Sequence, residues 1–242
     1  MLLVRALIIS DLHANLEALR RLPSDFDQLW VLGDLVNYGP NPAEVIDYIR
    51  DRASVVIRGN HDHSAGFHVD PQCSARFRAM AEETGAYTRS VLNSEHRNYL
   101  RSLPLTASLK IDGVGFFLCH AAPPHPLFEY RPEDSPLWLA DEVGPDVRMV
   151  LAGHTHRPFH RILPARAVVN PGSAGQPKHG RAEACFAFWE DGRLTPGSVP
   201  YDVETTIGKL RKLCLSAAVF EDLAFVLRTG RVPPEPEFRA IS

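Results

Sequence analysis

An α/β fold is what this chain of 242 residues predicts, and three observations carry that reading. Short runs rich in β-branched residues are apolar nearly throughout: Ala6 to Ile9, Leu29 to Leu32, Val55 to Ile57, Val114 to Cys119, Met149 to Ala152 and Ala167 to Val169. Segments with helical start and stop signals lie between the early runs. Most of the runs end directly in Asp, Asn or His. Runs this short and this uniformly apolar fit strands buried on both faces, as in a sheet covered by helices.

Taken in order, the first strand is followed by Asn15, which can cap a helix carrying Leu16, Leu19 and Leu22 before Pro23 stops it. After the second strand, Asn41-Pro42-Ala43-Glu44 offers an N-cap, a proline at the first helical position and an acid at the third. Val45, Ile46 and Ile49 supply the apolar face of that helix. Residues 74–103 predict a helical region, with Ser94 as a cap before Tyr99, Leu100 and Leu103. Asp191-Gly192 predicts a tight hairpin between Cys185–Glu190 and Arg193–Val199. Helical spacing then returns through Val203, Ile207, Leu210 and Cys214, and again through Phe220, Leu223, Ala224 and Leu227, with Gly230 as a C-terminal stop. The expected organisation is a single domain over residues 1–232, including C-terminal helices within 203–230. A loose tail, 233–242, begins at Pro233-Pro234-Glu235-Pro236.

Charge narrows the partners. Lys and Arg number 26 against 29 Asp and Glu, for a net charge of −3, and no basic block occurs. That balance gives no electrostatic footprint for long nucleic acid or for an anionic membrane. A small phosphate ester needs none, because local metal charge can bind it. The helical C-terminus could support a homo-oligomer or merely cover a sheet. Cys73, Cys119, Cys185 and Cys214 lack CxxC spacing and read as reduced, mostly buried thiols. The N-terminal apolar segment is too short for a secretory leader, and no stretch has membrane-spanning length. The expectation is a cytoplasmic protein.

The chemistry sits where the strands end. Ala6–Ile9 leads to Asp11 and His13, Leu29–Leu32 to Gly33-Asp34, and Val55–Ile57 to Gly59-Asn60-His61-Asp62. Val114–Cys119 leads to His120, and Met149–Ala152 to Gly153-His154-Thr155-His156. In α/β sheets the loops at the carboxyl ends of strands converge on ligand sites, so five separated segments can meet in one cleft. The donors suit two cations. Asp11 and His13 can reach a common point, Asp34 has two oxygens and can bridge, and Asn60 offers an amide oxygen. His120, His154 and His156 offer imidazole nitrogen. With one shared carboxylate, each ion has four protein ligands and positions left for water and substrate. Oxygen and nitrogen donors without thiolate suit manganese, iron, cobalt, nickel or zinc.

In order and spacing, Asp11-Leu12-His13, Gly33-Asp34, Gly59-Asn60-His61-Asp62, His120 and Gly153-His154-Thr155-His156 resemble the signature of the calcineurin-like metallophosphoesterases. The Asn170-Pro171-Gly172-Ser173 turn and the C-terminal helices look like the compact bacterial and archaeal phosphodiesterase-type branch. The resemblance implies a four-layer αββα sandwich, two β-sheets flanked by helices. It implies that Asp11, His13 and His156 hold one divalent ion, that Asn60, His120 and His154 hold the other, and that Asp34 is shared. It also implies hydrolysis of a phosphate ester, a diester above all, by direct attack of metal-bound hydroxide. Ions about 3.5–4 Å apart would lower the pKa of that water and stabilise the attacking and leaving oxygens. His61 would stabilise or protonate the leaving oxygen. Asp62 either supports His61 in catalysis or caps a turn, and Arg58 could contact phosphate or lie at the surface. Lys178, His179 and Arg181 form a small basic cluster that reads as a solvated loop, with receipt of a distal phosphate as the alternative. Other functions of the superfamily are phosphomonoester hydrolysis, cleavage of short nucleic acid, and a non-catalytic protein-binding scaffold. Retention of the full set, His61 included, places the scaffold last.

One position departs from the pattern. Many relatives carry a second acid three residues after the bridging Asp, where it pairs with the His61 equivalent; here that position is Asn37. An amide orients an imidazole but does not favour its protonated form through charge. His61 is therefore expected to be a weak acid catalyst, suited to esters with good leaving groups. Asn37→Asp should alter the acid side of the pH–rate profile, and an unchanged profile contradicts this role for Asn37.

Overall fold

The computed structural model describes residues 3–140 and 143–234. Two mixed five-stranded sheets form its centre. In the first, β1 (Ala6–Ile9), β2 (Gln28–Val31) and β3 (Val55–Val56) run parallel. A hairpin of β9 (Glu183–Glu190) and β10 (Arg193–Pro200) joins antiparallel at β1, turning at Asp191-Gly192 as expected. In the second, β5 (Val114–Cys119), β6 (Val147–Leu151) and β8 (Ala167–Asn170) run parallel. Antiparallel strands β4 (Thr106–Ile111) and β7 (Phe159–Ile162) form its two edges.

Alternation along β1 shows how the layers are built. Ala6 and Ile8 face the second sheet and pack with Trp30, Leu32, Phe116, Leu118, Leu151 and Trp189. Phe116 lies edge-on between Trp30 and Trp189, with ring centroids 5.1 and 4.9 Å away. Leu7 and Ile9 point the other way, onto α1 (Leu16–Arg21), α2 (Pro42–Arg52) and α5 (Ser94–Ser102). The outer face of the second sheet packs Val150 and Val168 against Trp138 of α6 (Leu137–Ala140). Each fully buried side chain of this size contributes about 1.5–3 kcal/mol, so the sheet–sheet interface is a firm base for the loops above it. The result is helix, sheet, sheet, helix. A further apolar cluster joins α4 (Arg78–Val91) to α7 (Val203–Leu210) and α8 (Ala217–Thr229).

The structure differs from the sequence expectations in several places. Region 74–103 is a 3₁₀ turn at Ala75–Phe77 followed by α4 and α5, and the cap of α5 is Asn93, whose side chain accepts from the His96 amide. Ser94 is the first helical residue. Asn15 caps α1 as expected. Asn41 holds the N-cap position of α2, but its amide donates to Glu44 instead of accepting from the backbone. The C-terminal spacing breaks after Leu210, which leaves Cys214 exposed; Cys73 is half-buried, and Cys119 and Cys185 are buried. Val55 and Val56 are only half-buried, because β3 is an edge strand. Gly230 ends α8 in the left-handed region. Most of the expected tail, residues 235–242, lies outside the described residues. Among the described residues no helix is long and apolar enough to cross a membrane.

Candidate metal centre

Five parallel strands, β1, β2, β3, β5 and β6, deliver their C-terminal loops to one end of the two sheets. Those loops carry Asp11 and His13, Asp34, Asn60, His120, and His154 and His156. Two buried groups result, Asp11 with His13 and His156, and Asp34 with His120 and His154, each with candidate ligand atoms within 4.8 Å of one another. Asp34 Oδ2 lies between them, 3.2 Å from His120 Nε2 and 3.7 Å from His13 Nε2. Asn60 Oδ1 is 3.0 Å from His120 Nε2, and Asn60 Nδ2 is taken up by the Pro71 carbonyl, which turns the oxygen inward. All seven sequence-predicted ligands are thus brought to one place.

Hydrogen bonding around the imidazoles decides what this place can hold. Nδ1 of His13, His120 and His156 sits 3.0, 2.7 and 2.6 Å from the carbonyls of Val36, Leu32 and Gln176. A carbonyl only accepts, so each Nδ1 carries a proton, and the neutral rings of His13 and His156 present their Nε2 lone pairs inward. These two Nε2 atoms are 3.1 Å apart, and lone pairs converging at that distance repel. His154 Nδ1 is 3.2 Å from His120 Nε2. Asp11 Oδ1, fully buried, has no hydrogen-bond partner, although it lies 3.3 Å from His156 Nε2. Such donor sets fit divalent cations of the borderline type, and the residues present fit a pair of them.

Electrostatics agree. Burial lowers His13 to about 3 and holds His154 and His156 well below the ordinary imidazole value, so these rings are neutral and ready to ligate. Burial alone would also lower His120, but the charge and hydrogen bond of Asp34 outweigh it and raise the ring to about 9. Burial raises the Asp11 carboxyl to about 7, helped by the charge of Asp34. Protons on these two groups therefore compete with cations, and binding releases them.

The backbone is held in an uncommon state to achieve this. Asp11, His13, Asp34, His154 and His156 all have positive φ, between 45° and 66°. Non-glycine residues there cost of order 1–3 kcal/mol each, less for Asp and His than for branched residues. The loops also touch without room for side chains. A Cβ on Gly59 would lie 2.1 Å from Asp34 Oδ1, and one on Gly153 would lie 1.9 Å from Ser10 Oγ. Ser173 Oγ donates to the Asp11 carbonyl (2.7 Å), and Asn170 Nδ2 to the Gly153 carbonyl (2.7 Å), so the turn after β8 braces two ligand loops.

The other predicted site residues fare differently. Asn37 is 2.9 Å from His61 Nδ1, in place to orient that ring and not to bind substrate. Asp62 corrects the catalytic assignment. Its two oxygens accept from the amides of Asp34 (2.8 Å), Leu35 (2.8 Å) and Gly59 (3.0 Å), so it stitches the β2 and β3 loops together at the start of α3 (Asn60–Phe67). Arg58 is also corrected, because its guanidinium donates to the Arg101 carbonyl and lies over the Phe67 ring. Lys178 is not in a solvated loop. It is half-buried beside a cleft of about 850 Å³ that opens next to the centre, with Tyr130 and Phe77 in the same wall. Sequence offered no periodicity or motif that singled out Tyr130.

A family model for the calcineurin-like phosphoesterase superfamily domain matches residues 4–191. The chain belongs to that superfamily. Within it, the sequence is similar to an uncharacterized protein of Methanocaldococcus jannaschii, 31% identical over 228 residues, covering 85% of this chain and 91% of the relative. The fold is similar to a metallophosphoesterase from Sphaerobacter thermophilus, with a TM-score of 0.77 and 30% identity over 93% of this chain and 99% of that one. A stretch of 69 residues, 25% of this chain and 26% of the relative, is 39% identical to a symmetrical bis(5'-nucleosyl)-tetraphosphatase of Thioalkalivibrio sulfidiphilus. Calcineurin-like phosphoesterases bind divalent metals, and the two buried Asp/His groups are where this chain could hold them.

The bracing position of Asp62 has a measurable consequence. Asp62→Asn replaces one acceptor with a donor facing a backbone N–H, leaving buried groups unpaired at a cost of about 1–3 kcal/mol each. Thermal unfolding in chelator should fall accordingly. A purely catalytic Asp62 would instead lower turnover and leave that transition in place.

Proposed function

We propose that this chain is a dinuclear-metal-dependent phosphoesterase that acts on phosphodiesters. One observation carries the reading: the inward Nε2 atoms of His13, His120 and His156 converge with Asp11, Asp34 and Asn60 beside an open cleft. When bound, two divalent ions would lower the pKa of the attacking water, orient the phosphate and stabilise charge on the attacking and leaving oxygens. Asp11, His13 and His156 would hold one ion and Asn60, His120 and His154 the other, with Asp34 Oδ2 shared. The family supports phosphorus–oxygen bond hydrolysis, as does the short match to a nucleosyl tetraphosphatase.

The chain's own groups do the remaining work. His61 lies against His13 and Tyr38, with centroids 5.2 and 4.7 Å away. Asn37 Nδ2 donates to its Nδ1, so its proton sits on Nε2 and can be offered to the leaving oxygen as a hydrogen bond. Burial lowers His61 to about 4, so the ring is neutral at physiological pH. A neutral donor suits a leaving group that departs with little proton transfer, such as the alcohol of an activated diester. Asp62 acts earlier, by fixing the loop on which Asp34 is carried.

Hydrolysis of bis(p-nitrophenyl) phosphate with added manganese tests the proposal. Activity should be metal-dependent, and His120→Ala should lower kcat/KM by about a hundredfold or more. A chain that binds metal but hydrolyses neither this diester nor p-nitrophenyl phosphate would instead be a non-catalytic scaffold.

A further inference from the structure

The cleft beside the centre is lined by side chains other than the seven candidate ligands. Phe77 comes from the 3₁₀ turn before α4, Tyr130 from the loop after β5, Phe159 from β7, and Lys178 from the loop before β9. Its volume of about 850 Å³ falls within the roughly 300–1,000 Å³ typical of small-ligand sites. Tyr130 stacks on His154 with ring centroids 4.0 Å apart and planes tilted by 37°. Although it contacts a candidate ligand, 46% of Tyr130 remains exposed, so the ring presents a free aromatic surface within the cleft. Lys178 holds its ammonium 3.9 Å above the Phe77 ring, and its backbone amide donates to the His156 carbonyl. The nearby negative charges it senses are Asp11 and Asp34 of the centre. Among the described residues it has no ion-pair partner.

Lys178 and the exposed Arg157 line the cleft together with the exposed carboxylates of Glu133 and Asp134. Arg161, on the same wall, is held by the carbonyls of Glu133 and Ser135, both at 2.6 Å. An anionic phosphate is favoured beside Lys178, and a planar ring on the face of Tyr130. Between them the walls are aromatic and apolar. Building on the phosphodiesterase reading, we infer that the Tyr130–Lys178 cleft is a specificity pocket for a single nucleoside arm of the diester, its base stacked on Tyr130 and its phosphate oxygen met by Lys178. An aromatic platform paired with one cation is the arrangement by which proteins bind single bases with little sequence preference.

Calorimetry with two ligands that lack a scissile phosphorus–oxygen ester bond tests this on the full chain supplemented with manganese. One ligand is methylphosphonate. The other is a purine nucleoside in which a methylene carbon replaces the 5′ ester oxygen of the monophosphate. The nucleoside phosphonate should bind at least about tenfold more tightly, the range that stacking of one base supplies. Tyr130→Ala should collapse that ratio toward one while keeping the affinity for methylphosphonate. Lys178→Met should weaken both ligands together. Equal affinity for the two ligands, no measurable binding of either, or a tenfold ratio that survives Tyr130→Ala each overturns the assignment. Diester hydrolysis measured alongside separates the two readings: if it persists when the pocket assignment fails, the phosphodiesterase proposal stands.

Discussion

The structure depends on one local constraint, which is that backbone carbonyls take the Nδ1 protons of His13, His120 and His156. That choice turns three Nε2 atoms into a buried space already lined by Asp11 and Asp34. Without a cation the arrangement is repulsive and carries unpaired acceptors; with cations each of those atoms gains a partner. The carbonyls belong to Leu32, Val36 and Gln176, in loops leaving β2 and preceding β9, so ring orientation is set by the same chain segments that define the sheets. The carbonyls that orient the imidazoles are also part of the loops that join the strands.

Strain and close packing follow from that constraint. Loops at the ends of five parallel strands must approach closely enough for their side chains to share ions, and the backbone turns left-handed at Asp11, His13, Asp34, His154 and His156. Gly59 and Gly153 supply the room. Asp62, Ser173 and Asn170 hold the loops with hydrogen bonds to the main chain, which is why the acid beside His61 is better understood as a structural clasp. The sheet–sheet core beneath, centred on Trp30, Phe116 and Trp189, keeps the five strand ends in register. Stability of the sandwich and geometry of the centre are therefore coupled.

Much of this was legible in the sequence because it rests on local patterns. Strands β1, β2, β5 and β6 contain short apolar runs, and their ends lead into the Asp and His residues that meet in space. Strands β4 and β7 escaped notice because Thr106–Ile111 and Phe159–Ile162 are edge strands, partly solvated, and carry polar or charged residues. The break between α4 and α5 rests on Asn93, whose capping bond is a matter of side-chain conformation. For the same reason the sequence leaves Asp62 and Arg58 open between two roles. Sequence shows an acid and a base next to a catalytic motif, and only three dimensions show that main-chain amides and the end of α5 have claimed them. Lys178 and Tyr130 lie 48 residues apart in sequence, and nothing local marks either as part of a cleft.

The proposed function requires two ions in one pocket, shared through Asp34. Crystals of the chain grown with manganese and measured with anomalous scattering test that directly. The account requires two peaks, one between Asp11, His13 and His156 and one between Asn60, His120 and His154, with Asp34 touching both. A single peak, or ions bound away from Asp34, would contradict it.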